Sequence, residues 1–110
     1  MNTTTITQGT TLCTLINVFT VSSDKQQELV HVLAEVTDQV ICKLPGFVSA
    51  NIHKSIDGER VTNYVQWRSK EDLDNMLRNP EAREHIQQCQ KLASHIDFHL
   101  YTVEHVQRSA

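Results

Sequence analysis

Four side chains stand out as groups that could act on a small molecule: Asn17, Asn63, Trp67 and His85. Carboxamides and an indole N–H form directed hydrogen bonds, and an imidazole titrates near neutral pH and can move a proton. Each lies on an otherwise apolar element. Asn17 sits between Ile16 and Val18, and by alternation it shares a strand face with Leu15 and Phe19. Asn63 and Trp67 share a face with Val61 and Val65, while His85 precedes Ile86, one turn before Cys89. A polar group among apolar neighbours costs free energy unless it is paired or used. Singly, each also fits a structural role: an Asn bonded to a loop, a Trp satisfied by a carbonyl, a core histidine. Together they point to one pocket, with Phe19, Leu73 and Met76 as its apolar walls.

The elements that must position them follow in order. Residues 12–21 are β-branched and aromatic and predict a strand. Ser23 with Gln26 predicts a capping box, and Leu29, Leu33, Val36, Val40 and Leu44 continue at helical spacing until Pro45-Gly46. Residues 47–55 and 60–67 read as strands joined across Asp57-Gly58, a hairpin. Ser69 with Asp72 caps a short helix bearing Leu73, Met76 and Leu77. Asn79-Pro80 interrupts it and opens another, with Ala82, Ile86, Cys89, Leu92 and Ala93 inward. Residues 98–106 form the last predicted strand.

This β-α-β-β-α-β order is that of a ferredoxin-like α+β fold, an antiparallel sheet with helices on one face. Helix-facing strand residues and the inner side of the last helix then converge on one space. The second face also reads as apolar, with Leu12, Ile16 and Val18 on the first strand. On the second strand, Val48, Ala50 and Ile52 fall on that face, opposite Phe47. A sheet apolar on both sides must be covered on both, so a homodimer is expected.

Several functions are disfavoured. The 110 residues suit one domain at 12–106, with a flexible extension at 1–11 and a tail at 107–110. A net charge of -3 with scattered cations leaves no patch for nucleic acid or an anionic membrane. No apolar run is long enough to span a bilayer, and the Thr-rich start lacks a signal peptide's blocks. Cys13, Cys42 and Cys89 are odd in number and widely spaced, as expected of free thiols in a reducing cytoplasm. His95, Asp97 and His99 straddle a helix-to-strand junction without a further placed ligand, so no metal is expected. There is no nucleophile elbow, phosphate loop or dinucleotide fingerprint.

Longer stretches carry a resemblance. Leu15-Ile16-Asn17-Val18-Phe19-Thr20-Val21 and Leu44-Pro45-Gly46-Phe47-Val48-Ser49-Ala50-Asn51-Ile52-His53 closely resemble the antibiotic biosynthesis monooxygenase domain family. So do Asp57-Gly58-Glu59-Arg60-Val61-Thr62-Asn63-Tyr64-Val65-Gln66-Trp67-Arg68-Ser69, Asn79-Pro80-Glu81-Ala82-Arg83-Glu84-His85 and His99-Leu100-Tyr101.

The resemblance implies a dimeric α+β barrel with one pocket per subunit. It implies a cofactor-independent oxygenase of aromatic polyketides, anthrones or quinols, with molecular oxygen as co-substrate. Asn63 and Trp67 match the family's catalytic strand pair, and His85 is a candidate base. Asn17, Phe19, Leu73 and Met76 are candidate substrate contacts. A deprotonated phenol or enol can reduce O₂ directly, so the protein need only exclude water, orient the substrate and place oxyanion donors. A similar sister branch degrades haem. Asn17 matches its strand Asn, Met76 stands where it has a Trp, and His85 falls near its His ligand. A third reading is a non-catalytic dimeric binder of small molecules.

Overall fold

The computed structural model describes residues 2–9 and 11–110; Met1 and Thr10 of the expected extension lie outside the described residues. Strand β1 (Cys13–Thr20) leads into helix α1 (Gln26–Gln39) and a single 3₁₀ turn (Ile41–Lys43). Strands β2 (Phe47–Lys54) and β3 (Arg60–Trp67) follow, then helices α2 (Lys70–Arg78) and α3 (Pro80–Leu92), and strand β4 (His95–Tyr101). All pairings are antiparallel, in the order β2-β3-β1-β4. The ferredoxin-like α+β fold expected from the residue pattern is the fold observed.

Local signals set most elements. Leu29, Leu33, Val36 and Val40 turn one buried stripe of α1 and its end onto the sheet. The Ser69 hydroxyl oxygen accepts from the Asp72 N–H at 3.1 Å and donates to the Asp72 carboxylate at 3.0 Å, starting α2. Asn79 Oδ1 accepts from the Ala82 N–H at 3.0 Å, and Pro80 takes the first turn of α3, where its missing N–H costs nothing.

Three expectations are corrected. The Ser23–Gln26 capping box does not form: Lys25 is the first flanking residue and has no side-chain cap. Gln26 points instead at the hairpin, where its Nε2 donates to the carbonyls of Ser55 (3.0 Å) and Arg60 (2.9 Å). Strand β4 covers His95–Tyr101 rather than 98–106. Its register pairs Thr20 with His95 and Thr14 with Tyr101, and the pairing with β1 stops there.

The third correction concerns β2. The register shifts between Phe47 and Ser49, so Val48 is an extra residue and Phe47, Ala50 and Ile52 all face the helices. The outer side of β2 is left with Ser49, Asn51 and His53. That side is therefore polar where the alternation predicted Val48, Ala50 and Ile52; Ile16 and Val18 of β1 remain on it. Thr14, Ser49 and Gln66 are nevertheless buried there, and Ser49 donates to Gln66 Oε1 at 3.1 Å. The Thr4 hydroxyl donates to Asn51 Oδ1 at 2.7 Å. The two chain ends also meet, through Gly9 N–H to Val103 O (3.1 Å) and Val106 N–H to Gln8 Oε1 (2.9 Å).

On the helix side the core is in two parts. One contains Leu15, Val36, Val65, Trp67, Leu73 and Met76. The other contains Phe19, Leu29, Leu33, Val61 and Cys89. Along β1 and β3 the residues between these clusters are Asn17 and Asn63, which are paired directly across the strands. Two carboxamides thus interrupt what would otherwise be a continuous apolar sheet face.

Candidate active site

The space at that interruption is a cavity of about 540 Å³ between sheet and helices. Asn17 from β1 and Asn63 and Trp67 from β3 form its polar floor, with Phe19, Leu73 and Met76 among its walls. Six of the seven residues proposed from the sequence are therefore gathered in one place. His85 is not: it is half-buried and does not line the cavity. The inward line of α3 runs through Ala82, Ile86 and Cys89, and His85 flanks it.

The floor carries a specific polar signature. Asn63 is 6% exposed and Trp67 0%, and both lie within hydrogen-bonded strands. Among the described residues, Asn63 Oδ1 and Trp67 Nε1 are the buried side-chain polar atoms left without a partner. Leaving such a group unsatisfied costs about 1–3 kcal/mol, and buried polar groups are usually paired. Here two orphans share one chamber. The indole can only donate. The carboxamide accepts as placed, and it donates once its amide is turned over. Trp67 is held by an edge-to-face contact with Phe47, ring centroids 5.6 Å apart, which the β2 bulge makes possible.

Other lining residues were not singled out from the sequence. Lys70 and Asp74 of α2 reach the cavity and pair with each other at 3.0 Å. Cys89, expected as a free thiol on the inward stripe of its helix, lines the wall, and burial pushes its pKa up to about 11. It is thus a neutral, weak nucleophile at physiological pH. On the open side, Leu77, Phe98 and Leu100 form an exposed apolar rim.

Two alternative sites are weaker. A broad groove of about 790 Å³ opens between the start of α1 and the end of α3, lined by Ser22, Lys25, Asp57, Arg60 and Lys91. It is larger but shallow and charged, and it holds neither orphaned polar atom. His99 Nε2 and Asp97 Oδ1 are 2.9 Å apart on the exposed β4 surface. Among the described residues, no group of three His, Cys, Asp or Glu side chains comes together to hold a metal. Nor do the cavity residues fit haem: no histidine lines the wall to hold the iron. Among the described residues, no helix is long and apolar enough to cross a membrane.

Comparison with known proteins bears on the same residues. The profile described as antibiotic biosynthesis monooxygenase matches residues 13–88, a span that includes both Asn63 and Trp67. Tetracenomycin-F1 monooxygenase of Streptomyces glaucescens is 45% identical over 89 residues, covering 81% of this chain and 80% of that protein. An anthrone oxidase-like protein superposes with a TM-score of 0.83 at 24% identity, over 91% of this chain and 42% of the other. SnoaB, a cofactor-independent oxygenase from Streptomyces nogalater, gives 0.76 at 21% identity, over 89% and 98% of the two chains. A monooxygenase from the gene ActVA-Orf6 of Streptomyces coelicolor, solved with nanaomycin D, gives 0.78 at 23% identity, over 92% and 94%. At these identities the superpositions establish the fold.

Proposed function

The chain belongs to the antibiotic biosynthesis monooxygenase family, and from that premise we propose that it oxygenates an aromatic polyketide of the anthrone or quinol type without a cofactor. The observation that carries this is the pair of buried, unpartnered groups, Asn63 Oδ1 and Trp67 Nε1, on the floor of an otherwise apolar cavity.

The chemistry uses electrons the substrate already holds. An anthrone CH₂ flanked by rings and conjugated with a carbonyl loses a proton to give an enolate. The enolate passes one electron to O₂, and the resulting radical pair combines at carbon as a peroxide. Protonation and loss of water leave a carbonyl, so the CH₂ and O₂ become C=O and H₂O. The protein's part is to hold the enolate oxygen while its charge develops. Trp67 N–H and the turned Asn63 amide are the donors, and Asn17 beside Asn63 orients a neighbouring oxygen. Phe19, Leu73 and Met76 keep the ring system dry. His85, outside the wall, could take the proton only through a bridging group; unchanged turnover in His85→Ala would remove it from the reaction.

The test is oxygen uptake with dithranol, a simple anthrone. Stoichiometric O₂ consumption with quinone formation, lost in Asn63→Ala and Trp67→Phe, supports the oxygenase. Tight binding of the quinone product without turnover would favour the non-catalytic binder.

We also place the chain in a homodimer in the cytoplasm. Leu77, Phe98 and Leu100 present apolar surface around the cavity's open side, which a second copy would cover. Three free cysteines suit a reducing compartment. Light scattering gives the mass directly, and a monomer at micromolar concentration would overturn the dimer.

A further inference from the structure

Lys70 has little structural reason to be where it is. It occupies the first position of α2, directly after the Ser69 cap, where the helix macrodipole disfavours a cation. Glu71 and Asp72 in the same turn already complement that dipole. Its partner Asp74 lies four residues later, the less favourable order for such a pair on a helix. The side chains are 68% and 35% exposed, and exposed pairs contribute little to stability. Yet among the described residues these two are the charged groups lining the cavity. Being both exposed and cavity-lining, they stand where the chamber meets solvent. Trp67, three residues earlier, faces the same chamber with its N–H unpartnered and wholly buried.

We propose that Lys70 is a specificity residue at the cavity mouth that recognises a carboxylate on the aromatic substrate, with Asp74 as its partner while the cavity is empty. This rests on the reading of the cavity as an aromatic polyketide site. An incoming carboxylate exchanges with Asp74 for the ammonium group, a small net change because the resident pair is weak. The neutral ring system meanwhile enters the apolar chamber toward Asn63 and Trp67.

Trp67 is the one tryptophan in the chain, so its fluorescence reports cavity occupancy. Two probes of matched shape are titrated: anthraquinone-2-carboxylate and 2-(hydroxymethyl)anthraquinone. The wild type is expected to bind the carboxylate about five-fold more tightly at low salt, an advantage that fades as ionic strength rises. Lys70→Gln abolishes the preference and leaves the alcohol's affinity unchanged. Lys70→Arg retains it. Asp74→Asn increases it, since the competing anion is gone. Equal binding of the two probes by the wild type, or an undiminished preference in Lys70→Gln, overturns the assignment while the polyketide reading stands. Failure of both probes to quench Trp67 overturns the polyketide reading and this assignment with it.

Discussion

Asn17 and Asn63 are cross-strand partners at the boundary between the two halves of the core, Leu15 and Val65 on one side and Phe19 and Val61 on the other. Side chains so paired have Cβ atoms about 5 Å apart on one sheet face. Folding alone would favour aliphatic residues at both positions, because they would join the clusters and leave no orphaned carbonyl. The interruption is a stability sacrifice located where the chemistry is proposed.

That sacrifice is measurable. Asn63→Leu is expected to raise stability by about 1 kcal/mol or more, by removing an unsatisfied buried acceptor and adding apolar contact. Its anthrone turnover should fall by roughly 100-fold or more, the usual effect of losing one oxyanion donor. Urea denaturation and oxygen uptake on the same preparation decide it. A destabilised Asn63→Leu would mean that the carboxamide has a structural partner after all.

Trp67→Phe separates ring from donor. The phenyl ring keeps most of the packing against Phe47, while the unpaired N–H disappears. Turnover should drop by a factor of about 10²–10³, with kcat affected more than KM. An equal loss of stability and activity would instead make Trp67 a core residue only.

The elements legible in the sequence are those fixed by neighbouring residues. The α1 stripe from Leu29 to Val40, the Asp57-Gly58 turn and the caps at Ser69 and Asn79 all depend on contacts within a few positions. What was not legible depends on distant partners. Val48 becomes a bulge only because β3 sets the register of β2, and that bulge moves Phe47 onto Trp67. β4 lies at His95–Tyr101 because its pairing with β1 sets its register, and Gln26 leaves its expected cap for carbonyls across the hairpin. Strict alternation makes the faces of the cavity's strand residues legible. A helix arc has soft edges, so His85 can flank the wall from beside the inward line, and the cavity-facing side of Lys70 and Asp74 carries no signal in the sequence because charged helical residues ordinarily face water.

Gln26 gives a second stability prediction. Its buried amide donates to two main-chain carbonyls that close the β2–β3 hairpin, and both would lose this donor in Gln26→Ala. A loss of about 1–3 kcal/mol is expected. Gln26 lies outside the cavity lining, so probe binding at 25 °C should stay within two-fold of wild type. Thermal melts and Trp67 titrations measure the two effects separately.

Gly46 is required by both its backbone and its neighbour. It has φ of 84°, and a Cβ there would overlap the Asp72 carboxyl group that shares in the α2 cap. Gly46→Ala therefore forces a left-handed residue and displaces that cap, costing roughly 1–3 kcal/mol. Because α2 carries Leu73 and Met76 of the cavity wall, probe affinity should weaken as well. Combining Gly46→Ala with Asp72→Gly, which takes away the Asp72 Cβ as well as its carboxyl group, removes the overlap but not the backbone strain, so the double variant should lose less than the sum of the two single losses. Strict additivity would show that the overlap is relieved without cost.

Cys89 predicts a pH effect with a definite sign. Burial raises its pKa from 9.0 to about 11 in the folded chain, because the thiolate would sit in the apolar wall of the cavity. The unfolded chain therefore releases this proton first as pH rises. Stability from Cys89 is fully present below pH ~9 and declines between pH ~9 and ~11, by roughly 2–3 kcal/mol in total. Cys89→Ala removes a titrating group and is expected to flatten the fall of stability with pH over that window, although it lowers stability at pH 7 by leaving a small void. Urea midpoints at half-unit intervals from pH 7.5 to 10.5 test this. Parallel curves for wild type and Cys89→Ala would show that the thiol is not held neutral by its surroundings.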